Sequence, residues 1–164
     1  LRDIVYGMQL VKPGGLVLIH DCLPTNVQVA APEFVRGEWC GVTYAAFLDV
    51  VLFGRELSYC TVDSDYGCGI ISRDDRLAAF ADCRPADELI SQWRGLGLPE
   101  KYPFFERHRA ELLRLISPDE FRQRLLAGSF HAGVEVQPPK HRAPGPGLSR
   151  KAILSSGNQA MPST

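Results

Sequence analysis

The sequence predicts an α/β fold in which a small sheet of buried strands is covered by helices. Three observations carry that expectation. Leu16-Val17-Leu18-Ile19 is an apolar run bounded by the Pro13-Gly14-Gly15 turn and the polar pair His20-Asp21. Such a run suits a strand buried on both faces, as in a parallel sheet between helices. Two further strand-like runs, Leu57–Val62 and Cys68–Ser72, flank Asp63-Ser64-Asp65-Tyr66-Gly67, a turn by composition, so they form an antiparallel pair. The segments around them carry apolar residues at helical steps.

Taken in order, residues 1–11 read as a helix, with Ile4, Val5, Met8 and Val11 recurring every three or four positions until Pro13 forbids continuation. The strand Leu16–Ile19 follows. Residues 23–38 have a proline near each end and no clean periodicity, which reads as a long binding loop or lid with one helical turn at most. Phe34 and Trp39 could close over a ligand or pin the loop to the core. Residues 42–53 form an apolar helix that turns Tyr44, Phe47, Leu48, Val51 and Leu52 to the sheet and stops at Gly54. The hairpin comes next, then helical segments over residues 76–82 and 86–94. Gly95-Leu96-Gly97-Leu98-Pro99 reads as a linker, and residues 104–116 as an amphipathic helix. Ser117-Pro118-Asp119-Glu120 signals a last helix running to about Ala127, with Ser at the cap, Pro in the first position and Glu at capping-box spacing. From residue 129 the composition turns to Pro, Gly, Ser and basic residues, and a disordered tail over 129–164 is expected; His131 and His141 fall there as solvated residues.

One domain is the natural count for 164 residues, here residues 1–128. A net charge of -1 argues against a nucleic-acid surface, and no apolar run approaches a membrane span. Five cysteines without a C-x-x-C suit reduced, apolar fillers in a cytoplasmic protein rather than a zinc site. The chain begins Leu1-Arg2-Asp3-Ile4, as expected of a piece of a longer product.

Polar groups at the carboxyl end of a buried strand sit where open α/β sheets bind ligands, which singles out His20 and Asp21. Imidazoles change charge near neutral pH, so His20 could accept a proton with Asp21 orienting it, or could simply hydrogen-bond backbone at the strand end. A metallohydrolase built on the same pair would need further ligands that His108, on a surface-like helix, does not supply.

The order Lys12-Pro13-Gly14-Gly15, LVLI-His20-Asp21-Cys22, long loop, Trp39-x-Gly41, helix, then Val62-Asp63-Ser64-Asp65-Tyr66-Gly67-Cys68-Gly69-Ile70-Ile71 resembles the later half of class I S-adenosylmethionine-dependent methyltransferases. The helical end, RAELLRLISPDEF over residues 109–121, resembles the closing helices of the same group. The resemblance implies a Rossmann-like sheet of order 3-2-1-4-5-7-6, in which Leu16–Ile19 is the fifth strand, Leu57–Val62 the sixth and Cys68–Ser72 the antiparallel seventh. It implies methyl transfer from S-adenosylmethionine to an oxygen or nitrogen of a small molecule. His20 and Asp21 would be the catalytic residues, and Trp39, Asp65 and Tyr66 would bind the acceptor. The glycine-rich turn and acidic strand end that hold the cofactor belong to earlier strands, so no cofactor ligand is assigned within residues 1–164. The missing half or a second copy is the expected partner, or else the chain is an inactive interaction module. In metal-dependent members an Asp–Asn pair binds magnesium; Asp21 stands at that Asp and Cys22 at the Asn, and a thiol is a poor magnesium ligand.

Overall fold

A computed structural model describes residues 1–54, 56–73, 77 and 84–127. The expected helix over 76–82 and the expected tail over 129–164 therefore lie outside the described residues, apart from Leu77. The elements run α1 (Arg2–Leu10), β1 (Leu16–Ile19), α2 (Thr43–Phe53), β2 (Ser58–Val62), β3 (Cys68–Ser72), α3 (Asp87–Gly95), α4 (Leu98–Leu113), β4 (Leu115–Ile116) and α5 (Pro118–Leu126).

The sheet has the order β1-β3-β2-β4. β3 is antiparallel to both neighbours, so β1 and β2 point the same way with their carboxyl ends on one rim. That is the order and direction expected for the three longer strands. The pleat sorts their side chains cleanly. Val17, Ile71 and Tyr59 pair across the strands and face the larger core with α1, α2, α3 and α4, whereas Cys60 and Ile70 face a smaller one with Leu77, Ile116 and Phe121. In α2, Tyr44, Phe47, Leu48, Val51 and Leu52 are all buried, as their spacing requires. Phe47 settles onto the sheet over Gly69, where a Cβ would stand 2.7 Å from its ring and 2.8 Å from the Cys22 sulfur.

Three expectations are corrected. β1 is not buried on both faces: no strand among the described residues pairs with its outer side, and Leu18 is 65% exposed. The linker at residues 95–99 is mostly helix, because α4 starts at Leu98 rather than Phe104. There the Glu100 carboxylate accepts the Gly97 N–H at 2.8 Å, and Pro99 falls in the first turn, where its missing N–H costs nothing. Nor does that helix run to residue 116. Arg114 takes a left-handed φ of 49°, ends the helix, and sends Leu115–Ile116 into the sheet parallel to β2. The last helix starts as its signal implies, with the Ser117 hydroxyl accepting the Glu120 N–H at 3.1 Å.

Among the described residues no helix is long and apolar enough to cross a membrane. Cys22, Cys40 and Cys60 are buried free thiols, in keeping with an apolar filling role. Thr61, in the middle of β2, is fully buried, and its hydroxyl has no hydrogen-bond partner among the described residues. A lone buried hydroxyl carries a desolvation cost that an isosteric methyl does not. Thr61→Val is therefore expected to raise stability by about 1 kcal/mol, read as a higher urea midpoint at unchanged slope; a lower midpoint would show the hydroxyl to be paired.

Candidate functional site

The site is built where β1 ends beside the β2–β3 turn. Asp21 has a φ of 65°, a left-handed conformation that Asp tolerates better than most residues. The chain swings back on itself there, so the carboxylate of Asp21 meets the ring of the residue before it: His20 Nδ1 lies 3.0 Å from Asp21 Oδ1. The next two residues dock directly on the turn. The Cys22 N–H donates to the Gly67 carbonyl at 3.1 Å, and the Leu23 N–H to the Tyr66 carbonyl at 2.6 Å. The turn can offer those carbonyls because Asp65, Tyr66 and Gly67 are all left-handed, with φ of 43°, 60° and 82°.

That docking brings Asp65 to the other side of the imidazole, with Oδ2 3.3 Å from His20 Nε2. His20 thus sits between two carboxylates, Asp21 partly covered and Asp65 on the surface at 79% side-chain exposure. A neutral imidazole has one N–H and can donate to only one of them. Asp21, held by the backbone, is the natural partner for Nδ1–H. Asp65, at the tip of an exposed turn, is the one that can give way.

Behind Asp21 lies a cavity of about 420 Å³ lined by Ile4, Ile19, Trp39, Cys40 and Thr43. Trp39 both pins the long loop and walls this cavity. Its indole N–H donates to the Ala31 carbonyl at 2.9 Å, and its ring meets Phe34 edge-on at 5.4 Å. The loop has its single helical turn where Asn26 Oδ1 accepts the N–H groups of Gln28 and Val29, each at 3.0 Å. Cys40 is the residue sequence reasoning passed over. It lines the cavity next to Asp21; burial first, and then that carboxylate, push its thiol up to about 12. Thr43 was also missed; its hydroxyl donates to the Cys40 carbonyl at 3.0 Å, a local bond that the Cys-x-x-Thr spacing could have suggested.

The predicted residues divide. His20, Asp21 and Asp65 come together, and Trp39 joins Asp21 at the cavity. Tyr66 does not line the cavity; the Glu38 carboxylate beside its hydroxyl raises it above the ordinary phenol range. Magnesium does not fit the donor set. Cys22 turns inward, donating to the Ile19 carbonyl at 3.3 Å, and burial pushes its thiol up to about 12. That leaves Asp21 without the second ligand the Asp–Asn pattern needs. Among the described residues no three His, Cys, Asp or Glu side chains are grouped to hold a metal ion.

Comparison of the chain with protein-family models, with curated proteins and with solved structures found no match.

Proposed function

We propose that this chain is the carboxyl-terminal part of a methyltransferase domain that uses S-adenosylmethionine and receives a small hydroxyl- or amine-bearing acceptor at His20. The observation that carries the reading is the imidazole held between Asp21 and Asp65 on the rim shared by β1 and the β2–β3 turn, beside a cavity of about 420 Å³. The strand order β1-β3-β2, with β3 reversed, supports it as well.

In this reading Asp21 fixes Nδ1–H, which leaves Nε2 as the basic nitrogen. The acceptor's O–H or N–H takes the place of the Asp65 carboxylate at Nε2, and its proton passes to the ring as the acceptor gains its methyl group. Trp39 and Thr43 wall the cavity that holds the acceptor's body, excluding water and fixing its orientation. S-adenosylmethionine supplies the electrophilic methyl group when bound. The described residues offer no glycine-rich turn between a strand and a helix to hold it, so the cofactor's binding residues are sought in sequence preceding Leu1.

The test is to join the chain to the reading frame found upstream and assay transfer of labelled methyl from S-adenosylmethionine to a panel of phenols, sugars and amines. His20→Gln is expected to lower turnover about a hundredfold, the usual weight of a positioned base, with the acceptor KM little changed. A joined protein that folds yet transfers no methyl group, or a His20→Gln variant as fast as the parent, overturns the reading. One observation favours a second reading, an inactive module that pairs with another chain: among the described residues no strand pairs with the outer side of β1, and Leu18 on it is 65% exposed. Folding and partner binding without methyl transfer in the same joined protein is the outcome that selects it.

A further inference from the structure

We propose that a second cavity, between residues 27–32 and the amino ends of α2 and α4, is a binding site for a compact, neutral aromatic ligand carrying a single hydroxyl or amine. The cavity measures about 220 Å³ and is lined by Val27, Ala31, Pro32, Leu98, Tyr44 and Tyr102, among others. Pro32 and Val42 belong to its wall and also to that of the cavity behind Asp21, so the two spaces stand back to back. A dry apolar cavity of about 150 Å³ is enough to take a benzene ring.

The ligand's chemistry follows from what the walls offer. No charged side chain lines the space, so an anion or cation would lose its hydration there without a counter-charge. Two tyrosines, Tyr44 and Tyr102, bring the only polar side chains to its wall. Tyr44 is only 1% exposed, and neither hydroxyl has a hydrogen-bond partner among the described residues. Neither hydroxyl is among the buried side-chain atoms sealed off without a partner, so both remain open to a ligand. Burial, then the neighbouring Tyr102 and Asp49, hold the Tyr44 hydroxyl protonated by pushing it up to about 12. It therefore stays a donor as well as an acceptor throughout the physiological range. The ring carrying it is fixed, edge-on to Tyr102 at 6.0 Å and tilted on Phe105 at 4.7 Å. Two tyrosines at the side of an otherwise apolar space select a ring with one small polar substituent. The site stands apart from His20 and does not depend on the methyl-transfer reading.

Phenol is the probe, titrated into the full 164-residue chain and followed by amide chemical shifts. Saturable shifts are expected over residues 27–32, 42–44 and 98–102, with a Kd on the order of 1 mM for so small a ligand. Benzene is expected to bind severalfold more weakly, and benzoate not at all. Tyr44→Phe should weaken phenol towards the level of benzene while leaving benzene unchanged, a readout that a merely structural role for Tyr44 would not give. Ala31→Leu should abolish binding by filling the space; should it fail to fold, Leu98→Trp at the exposed rim serves the same purpose. No saturable shift at about ten times the expected Kd, an unaltered preference for phenol in Tyr44→Phe, or undiminished binding in the filled variants overturns the proposal.

Discussion

Gly67→Ala is expected to lower stability by about 3 kcal/mol and to part His20 from Asp65. Two costs combine. The position has a φ of 82°, which an L side chain occupies at a cost of about 1 to 2 kcal/mol. The added Cβ would also stand 2.5 Å from Leu23 Cβ and 2.8 Å from the Leu23 backbone nitrogen. Neither obstacle is the far end of a flexible side chain, so relief means moving the backbone, and overpacking of that kind costs about 1 to 3 kcal/mol. The movement has a specific consequence. The segment pushed away is the one whose N–H groups donate to the Tyr66 and Gly67 carbonyls, the bonds that set the two site segments side by side. Urea unfolding measures the first effect. The second is read from the His20 ring resonances, which should lose their dependence on Asp65, tested by comparing Asp65→Asn in the two backgrounds. An unaltered urea midpoint would mean that the turn and residues 22–23 are not in contact.

Trp93→Ala is expected to cost about 4 kcal/mol, within the range for buried aromatic truncations. That approaches the whole stability of a small domain, commonly about 5 to 15 kcal/mol, so the variant should be partly unfolded at physiological temperature. Trp93 is fully buried and joins three helices. From α3 its indole N–H donates to Asp49 of α2 at 2.9 Å, and Lys101 of α4 reaches the same oxygen at 2.6 Å while lying 4.7 Å from the indole ring. Trp93→Phe separates the contributions. It keeps most of the packing against Tyr44 and Phe104 and loses the bond to a charged acceptor, so about 2 kcal/mol is expected, since Asp49 remains paired with Lys101. Equal losses for Phe and Ala would place the effect in the hydrogen bond and not in the cavity.

Where the sequence spoke clearly, it spoke locally. Leu16–Ile19 and Cys68–Ser72 are strands with the expected bounds, and Ser117 caps its helix as its spacing requires. Each of these depends on residues within a few positions of one another. Proline misled at residue 99, because a proline punctuates only where the lost N–H is needed. At Pro99 it is not, and at Pro103 the buried aromatics of α4 carry the helix through. Ile116 had a helical neighbour spacing, yet a long-range vacancy beside β2 claimed it for the sheet.

At the site, the residue types and their order were legible. The pairing of one imidazole with two carboxylates was not, nor was the choice between Cys22 and Cys40. Adjacent thiol and carboxylate look equivalent on paper; the left-handed turn at Asp21 sends Cys22 into the core and leaves Cys40, distant in sequence, beside the carboxylate. The sequence by itself determined most of the elements, the bounds of β1 and β3, and the candidates His20, Asp21 and Asp65, because apolar spacing and turn chemistry act over neighbouring residues. Only the tertiary structure decided which of those side chains meet and which cavities they wall, because that depends on how close backbones from distant segments can approach, and at Gly67 and Gly69 the approach leaves no room for a single added carbon.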